Sequence, residues 1–309
     1  YDISLNKQFK TSYSDEELKQ ISKTVSTYDS SGDAKKTILF KDYTTSLYNL
    51  ERYNASVGNY AEAIRLGTVE IVIREKVFGK EDPTYIESLG SLVDNYAIIG
   101  NYDEAIRLGT EVANIRKKLF GPESPYYVNS LENLVSYNRE IKNFNEVARL
   151  QQEVTKIKKI IYGVDHIEYA LSLANLAVGY SDVKNHKEAI RIGKEAIGLL
   201  KRIVDTDNPG YVTSIITLAY EYFEIGNYIE AIRLETEATK ILKNIKGAEY
   251  SYAMSLSRLA RYYTFFGNYN EALQLGTEAI GILKRIVGTD HLDYAESLSN
   301  LARLYSKLG

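Results

Sequence analysis

Residues 100–111 read "GNYDEAIRLGTE", and this short stretch carries the signals that decide the fold. A glycine is followed by an asparagine, and a glutamate stands three residues after that asparagine. This order is typical of one helix that ends at a left-handed glycine and a second helix that begins at a capping box. Gly109 falls inside the second helix, where glycine costs about 1 kcal/mol relative to alanine. We therefore expect a packing reason for this glycine.

The same turn recurs along the chain with a period of 42 residues, shortened to 41 once. A fixed period of this length indicates an array of similar structural units. The turn positions are Gly58, Gly100, Lys142, Lys184, Gly226, Gly267 and Gly309.

Each unit contains two predicted helices, one on either side of the turn. In the first, which we call the A helix, apolar residues recur at a spacing of three, after a tyrosine and a serine. The second, the B helix, begins at an asparagine cap, and a glutamate is expected to bond back to the cap. The capping asparagines are Asn59, Asn101, Asn143, Asn185, Asn227 and Asn268. The glutamates are Glu62, Glu104, Glu146, Glu188, Glu230 and Glu271.

Paired helices without any strand pattern predict an all-α fold, a right-handed α-solenoid of antiparallel helix pairs. The predicted array covers 43–309, divided into 43–84, 85–126, 127–168, 169–210, 211–251, 252–293 and a partial seventh repeat at 294–309. Residues 1–42 are expected to form an N-terminal helical cap. Its signals are a capping box at Ser14 and Glu17 and a second helix start at Asp33.

The repeats resemble the tetratricopeptide repeat family. The segments "LVDNYAIIGNYDEA" (92–105) and "LARYYTFFGNYNEA" (259–272) are similar to its signature of small and large residues around the turn. The long loops "FGKEDPTY" and "VGTDHLDY" and the 42-residue period resemble the kinesin-light-chain type. Similar arrays occur in bacterial multidomain proteins, including those with CHAT protease domains. The resemblance implies a superhelical scaffold for protein partners.

Glycine within the B helix departs from the family pattern, which usually has a large apolar residue there. Gly67, Gly109, Gly193 and Gly276 occupy this position, with Gln151 and Glu235 in two copies. We hypothesise that a tyrosine side chain, from the A helix or from the next repeat, fills the space. The candidates are the helix-opening tyrosines and Tyr96, Tyr180, Tyr222, Tyr263 and Tyr305.

Composition excludes several function classes. The chain of 309 residues has no cysteine, so it has no disulfide and no thiolate ligand, and its net charge of −3 does not favour nucleic acid or anionic membrane. No apolar run is long enough to span a bilayer, and no signal peptide is present. We expect a cytoplasmic location. The chain begins at Tyr1, which suggests a fragment or a processed form.

No pattern for catalysis is evident, and we predict no enzyme activity, no cofactor and no metal site. His166, His186 and His291 occupy repeat positions that explain them structurally. The serines that recur in the A helices have no neighbouring histidine in the sequence, and bonding to the helix backbone is the simpler explanation. Those serines are Ser46, Ser88, Ser130, Ser172, Ser214, Ser255 and Ser297.

By family resemblance, the concave surface is lined by A-helix residues two, six, nine, ten and thirteen positions before each turn. Acidic residues dominate this set in the early repeats and basic residues in the late repeats, which would orient an extended peptide or receive a charged segment. The alternative is that these charges belong to ordinary solvated helix faces. Asparagines nine before the turn would hold a peptide backbone. The candidate partner-binding residues are Asn49, Arg52, Glu87, Asp94, Asn133, Asn175, Tyr220, Arg258, Arg261, Asn300 and Arg303.

The predicted function is a protein–protein interaction scaffold that binds a peptide or protein segment in this groove. The alternative is a regulatory or sensor domain of a larger enzyme, for example a CHAT-type protease whose catalytic part lies outside this sequence. Self-association through an uncapped C-terminal end is a further possibility. A basic set at the ends of the B helices would permit nucleic-acid binding, but cations at helix C-termini are favoured in any case.

Overall fold

The computed structural model describes residues 34–308 together with Glu16, Gln20 and Lys23. Within residues 34–308 the chain forms thirteen α-helices and no strand, which confirms the predicted all-α class. The helices are α1 (Ala34–Ser56), α2 (Tyr60–Phe78), α3 (Pro83–Ile98), α4 (Tyr102–Phe120), α5 (Pro125–Glu140), α6 (Phe144–Tyr162), α7 (Ile167–Asp182), α8 (His186–Ile203), α9 (Pro209–Glu224), α10 (Tyr228–Asn244), α11 (Glu249–Phe266), α12 (Tyr269–Ile286) and α13 (Leu292–Leu308).

Odd-numbered helices are the predicted A helices and even-numbered helices are the predicted B helices. The first A helix begins at Ala34, well before the predicted repeat boundary at 43, and is 23 residues long. Ser14, Glu17 and Asp33, on which the predicted cap depends, lie outside the described residues, as does Gly309.

The chain divides into two compact units between Leu150 and Gln151, within α6. In the first unit, each helix from α1 to α4 packs against the next helix along the chain. In the second unit, each helix from α7 to α12 does the same. An A helix in the middle of either run therefore contacts the B helix of its own pair and the B helix of the preceding pair.

The turns between A and B helices have one shared hydrogen-bond pattern. Their glycine or lysine has a φ angle between 58° and 94°, as predicted for a left-handed cap. The next residue, the capping asparagine, donates its backbone N–H to the carbonyl five residues earlier, at 2.8–3.0 Å. This bond closes the end of the A helix in a Schellman motif.

The capping box is only half confirmed. The side chains of Asn101, Asn185, Asn227 and Asn268 accept from the backbone N–H three residues later, at 3.3–3.5 Å, whereas Asn59 makes no such bond. The prediction that the glutamates bond back to the cap is wrong, because the asparagine N–H is already occupied by the A-helix carbonyl. Instead, five glutamates bond an arginine three residues on: Glu62–Arg65, Glu104–Arg107, Glu146–Arg149, Glu188–Arg191 and Glu230–Arg233.

The starts of the A helices are capped by side chains that the repeat pattern did not predict. Asp82, Ser124 and Asn208 accept from backbone N–H groups two residues later. His166 and His291 do the same through Nδ1, at 3.2 and 3.3 Å. The structural explanation of these two histidines is therefore confirmed.

The recurring tyrosine and serine of the A helix both have structural partners. The tyrosine hydroxyl donates to a glutamate 26 residues later, in the B helix of the same pair. The pairs are Tyr85–Glu111, Tyr169–Glu195, Tyr211–Glu237 and Tyr252–Glu278. Five serines donate to a backbone carbonyl three or four residues earlier, as predicted: Ser46, Ser88, Ser130, Ser172 and Ser214.

The glycines of the B helix allow a leucine of the following A helix to approach. A Cβ atom added to Gly109 would lie 3.2 Å from Leu134 Cδ2. At Gly67, Gly193 and Gly276 the corresponding distances to Leu92, Leu218 and Leu301 are 3.4–3.5 Å. The hypothesis that one of the candidate tyrosines fills this space is wrong, because the nearest side chain at each of these glycines is a leucine of the next repeat. Leucine fills the space because its side chain on the following A helix faces the backbone of the preceding B helix.

Substitution of these glycines tests the packing explanation. Gly198 lies in α8 with nothing within 4 Å of an added Cβ atom, so Gly198→Ala should raise the free energy of unfolding by about 0.5–1 kcal/mol through helix propensity. Gly109→Ala should give no gain or a loss, because Leu134 must shift. Urea unfolding midpoints of the two variants provide the measurement. An equal gain in both would contradict the close approach at Gly109.

Two buried carboxylates connect neighbouring helices of the first unit. Glu51 of α1 accepts from Ser91 and Asn95 of α3, at 2.6 and 2.5 Å. Glu70 of α2 accepts from Ser88 of α3 at 2.7 Å and pairs with Arg74 at 2.5 Å. Both carboxylates are fully buried. Burial raises the pKa of Glu51, and it raises the pKa of Glu70 to about 7 despite the arginine.

The raised pKa of Glu70 predicts a pH-dependent stability. The folded state holds this proton more tightly than the unfolded chain, whose carboxyl has an ordinary pKa of 4.5. The contribution is therefore complete below about pH 4.5 and is lost as pH rises towards 7. Glu70→Gln should remove this dependence. Between pH 4.5 and 7, the free energy of unfolding of the variant relative to the wild type should therefore rise by about 2–3 kcal/mol. Denaturant unfolding at several pH values measures this difference, and parallel curves would contradict it.

Candidate functional site

The candidate residues of the first unit lie exposed on the A helices. Asn49 and Arg52 are on α1, Glu87 and Asp94 on α3, and Asn133 on α5. The exposure follows from the helical period, since the leucines between these residues face the core.

One contact within the first unit joins two of these residues through a third. The hydroxyl of Tyr48 donates to Glu87 Oε1 at 2.8 Å, which links α1 to α3. The guanidinium of Arg52 lies 5.7 Å from the centre of the Tyr48 ring. Arg52 and Glu87 therefore both contact Tyr48, which was not among the candidate residues. Asn49 is exposed beside them on α1.

Asp94 and Asn133 line one depression between α3 and α5. Arg116 of α4 lies at its base and donates to Ser130 Oγ at 3.0 Å. The pKa of Asp94 is raised because the surrounding protein displaces water, although Arg116 opposes the shift. Burial, together with the charge of Asp94, raises the pKa of Tyr137 to about 12.

In the second unit, Arg258 of α11 has a structural partner. Its Nε lies 3.0 Å from Oε1 of Glu235, a fully buried residue of α10 that also accepts from Ser255 at 2.7 Å. Burial raises the pKa of Glu235, and Arg258 opposes that shift. Glu235 occupies the position that is glycine in four other B helices, so this ion pair replaces the leucine–glycine contact of those copies.

Arg261 lies one turn further along α11 and packs on aromatic rings. Its guanidinium carbon is 4.6 Å from the centre of the Phe223 ring, and Phe223 stacks on Tyr262 at 4.6 Å. Tyr220 is exposed on α9; partial burial and the nearby Glu224 raise the pKa of its hydroxyl, and Arg261 opposes that shift. The structure therefore brings Tyr220, Arg258 and Arg261 to one region of the second unit.

The remaining candidates of the second unit are more dispersed. Asn175 on α7 and Arg303 on α13 are exposed, and Asn300 on α13 is half-buried. His186, for which a structural role was predicted, pairs with the buried Glu221 at 2.8 Å. Ser181 donates to the other oxygen of Glu221.

Several residues at these surfaces could not be selected from the sequence. The residues Tyr48, Arg116, Tyr137 and Phe223 stand at positions where the copies vary, and their contacts depend on how separate helices pack. Glu51 carried a usable signal, since other copies have valine or alanine at its position. A carboxylate at an apolar position predicts a buried polar contact.

The basic set at the B-helix ends is partly paired. Lys118, Lys158 and Arg202 form ion pairs with Glu81, Glu168 and Asp165. Across the part of the chain that the structure describes, no helix is long and apolar enough to cross a membrane.

These features define a class: an array of helix pairs that presents exposed side chains for a protein partner. The model of the tetratricopeptide repeat matches residues 85–160, 168–244 and 251–309, more than half of the chain. The chain therefore belongs to the tetratricopeptide repeat family, whose members are protein-interaction scaffolds. No curated protein gives a significant match to the chain.

Solved structures share this fold at low sequence identity. A structure from Podosopora anserina, described as kinesin light chain nearly identical TPR-like repeats, is 23% identical, with a TM-score of 0.55, over 64% of this chain and 94% of that chain. BtubC (BKLC) from P. vanneervenii is 16% identical, with a TM-score of 0.60, over 73% of this chain and 91% of that chain. A signal transduction ATPase with a tetratricopeptide repeat sensor from Pyrococcus horikoshii is 17% identical, with a TM-score of 0.63, over 87% and 40%.

The Glu235–Arg258 ion pair predicts that Arg258 stabilises the fold, in contrast to an arginine that only binds a partner. Arg258→Ala should lower the free energy of unfolding by about 2–4 kcal/mol, because it leaves a buried carboxylate without its cation. Adding Glu235→Gln should recover part of the loss, since glutamine carries no charge and Gln151 occupies the same position in another copy. Thermal or urea unfolding measures both. Wild-type stability in Arg258→Ala would refute the structural assignment.

Proposed function

We propose that the exposed face of the A helices binds an extended segment of a partner protein. One observation carries this proposal. Residues that recur in every repeat are used in turns, core packing and tyrosine–glutamate bonds, whereas the exposed A-helix residues differ from copy to copy. A scaffold that recognises a particular partner requires such variation, because identical copies would offer identical contacts.

The chemistry of this face suits a peptide backbone and polar side chains. Asn49, Asn133 and Asn175 are exposed, and each amide offers two donors and an acceptor. On this face, Glu87 and Asp94 supply negative charge in the first unit, and Arg261 and Arg303 supply positive charge in the second. Arg258 contributes less to binding, since Glu235 already neutralises it.

A matched pair of double variants tests the proposal. Phage-displayed random peptides are selected on the full chain, and the affinities of the selected peptides are measured by fluorescence polarisation. Glu87→Lys with Asn133→Lys should weaken binding about tenfold, by charge and by loss of the amide. Asp103→Lys with Glu123→Gln changes the net charge equally at exposed sites off this face, and should leave binding within about twofold.

Two results would count against the proposal. One is a selection that yields no specific peptide. The other is an equal loss of affinity in both double variants, which would indicate a nonspecific effect of charge.

A second candidate is a sensor array within a longer polypeptide. The Pyrococcus horikoshii protein carries its tetratricopeptide repeats as a sensor, and its alignment covers 87% of this chain but 40% of its own. The coding sequence around residues 1–309 distinguishes this candidate: an adjoining protease or ATPase domain supports it, and its absence refutes it.

A further inference from the structure

A small depression in the first unit differs from the rest of the A-helix face. It lies between α3 and α5, with α4 beneath it, is open to solvent, and has a volume of about 90 Å³. Gly90 and Val93 form one side, Asn133 forms the other, and Val112 and Arg116 line the base. We call it the Gly90 pocket.

Gly90 opens this pocket by lacking a side chain. The other six copies have tyrosine, glutamate, alanine, isoleucine or serine at the same place, ten residues before the turn. Gly90 lies inside α3, where glycine costs about 1 kcal/mol relative to alanine. A Cβ atom there would have no neighbour within 4 Å. Packing therefore does not require this glycine, in contrast to Gly109.

The size of the pocket limits what can enter it. Small-molecule sites usually measure about 300–1,000 Å³, far more than this pocket. An apolar cavity of about 150 Å³ holds a benzene ring. A depression of about 90 Å³ therefore accommodates a short branched side chain better than an aromatic one.

The charges around the pocket balance each other. Asp94 at the rim and Arg116 at the base attract one another, and Arg116 also donates to Ser130. Val93 and Val112 supply buried apolar walls. A charged side chain would meet both a carboxylate and a guanidinium at this pocket, so its net electrostatic gain would be small, whereas an apolar one would bury its surface against both valines.

The rim is suited to the backbone on either side of such a residue. Asn133 is exposed and stands one turn before Tyr137 on α5. Its amide can both donate to and accept from a peptide group. In an extended segment, one side chain can point into the pocket while the neighbouring peptide groups face this amide.

We propose that the Gly90 pocket selects a short aliphatic side chain, alanine or valine, from an extended segment of the partner. This inference rests on the proposed function, since it assigns one specificity-determining contact on the same face. It also assigns a function to the glycine: Gly90 keeps the pocket open at some expense in helix stability.

The test measures coupling between Gly90 and one position of a bound peptide. Each position of the peptides selected on the full chain is replaced in turn by glycine, valine and phenylalanine. One position should lose about ten- to hundredfold in affinity as glycine, and a similar amount as phenylalanine. In Gly90→Leu, which fills the pocket, overall affinity should fall and this position should lose its preference for valine.

Two further variants control the experiment. Gly281 lies exposed in α12 with nothing within 4 Å of an added Cβ atom, so Gly281→Leu should retain the preference. Gly90→Ala should fold at least as stably as the wild type and reduce the preference partly, which separates blocking from misfolding. Peptides that lose affinity in the Glu87→Lys, Asn133→Lys variant but show no position coupled to Gly90 would overturn the pocket and leave the proposed function intact.

Discussion

The close approach of a leucine to a B-helix glycine couples one repeat to the next in four copies of the array. Leu134 reaches Gly109 because no side chain intervenes, and three other pairs repeat this contact. In a solenoid each repeat contacts only its neighbours, so stability depends on such interfaces as well as on the helices themselves. The glycine costs helix stability locally, and the packed leucine compensates across the interface.

Polar pairs replace or supplement this contact in particular copies. Glu235 stands in the glycine position and holds Arg258 and Ser255 of the next A helix. Glu51 lies against Gly67 and bonds Ser91 and Asn95. Because burial raises the pKa of both carboxyls, we expect these two interfaces to respond to pH more than a leucine–glycine contact does. A buried carboxylate also requires matching polar side chains on the adjacent A helix, so each of these pairs favours one order of the repeats.

Structural residues and proposed binding residues occupy different positions of the repeat. The recurring glycine, asparagine, tyrosine and serine are accounted for by hydrogen bonds or backbone geometry. The exposed A-helix residues make fewer structural contacts and vary between copies. Gly90 belongs with the second group although it is a glycine, because neither backbone conformation nor close packing requires it.

The sequence by itself determined the period, the helix pairs, the left-handed turns and the family, because these depend on local signals repeated many times. It could not determine which side chain meets Gly109, since tyrosines and leucines both recur at fixed spacing and only three-dimensional packing distinguishes them. It also predicted that the glutamate bonds back to the cap, which is excluded because the asparagine N–H donates to the carbonyl five residues earlier. The pocket at Gly90 and the partners of Arg258 and His186 were decided by the tertiary structure, because each brings together residues that lie 20 or more positions apart on different helices.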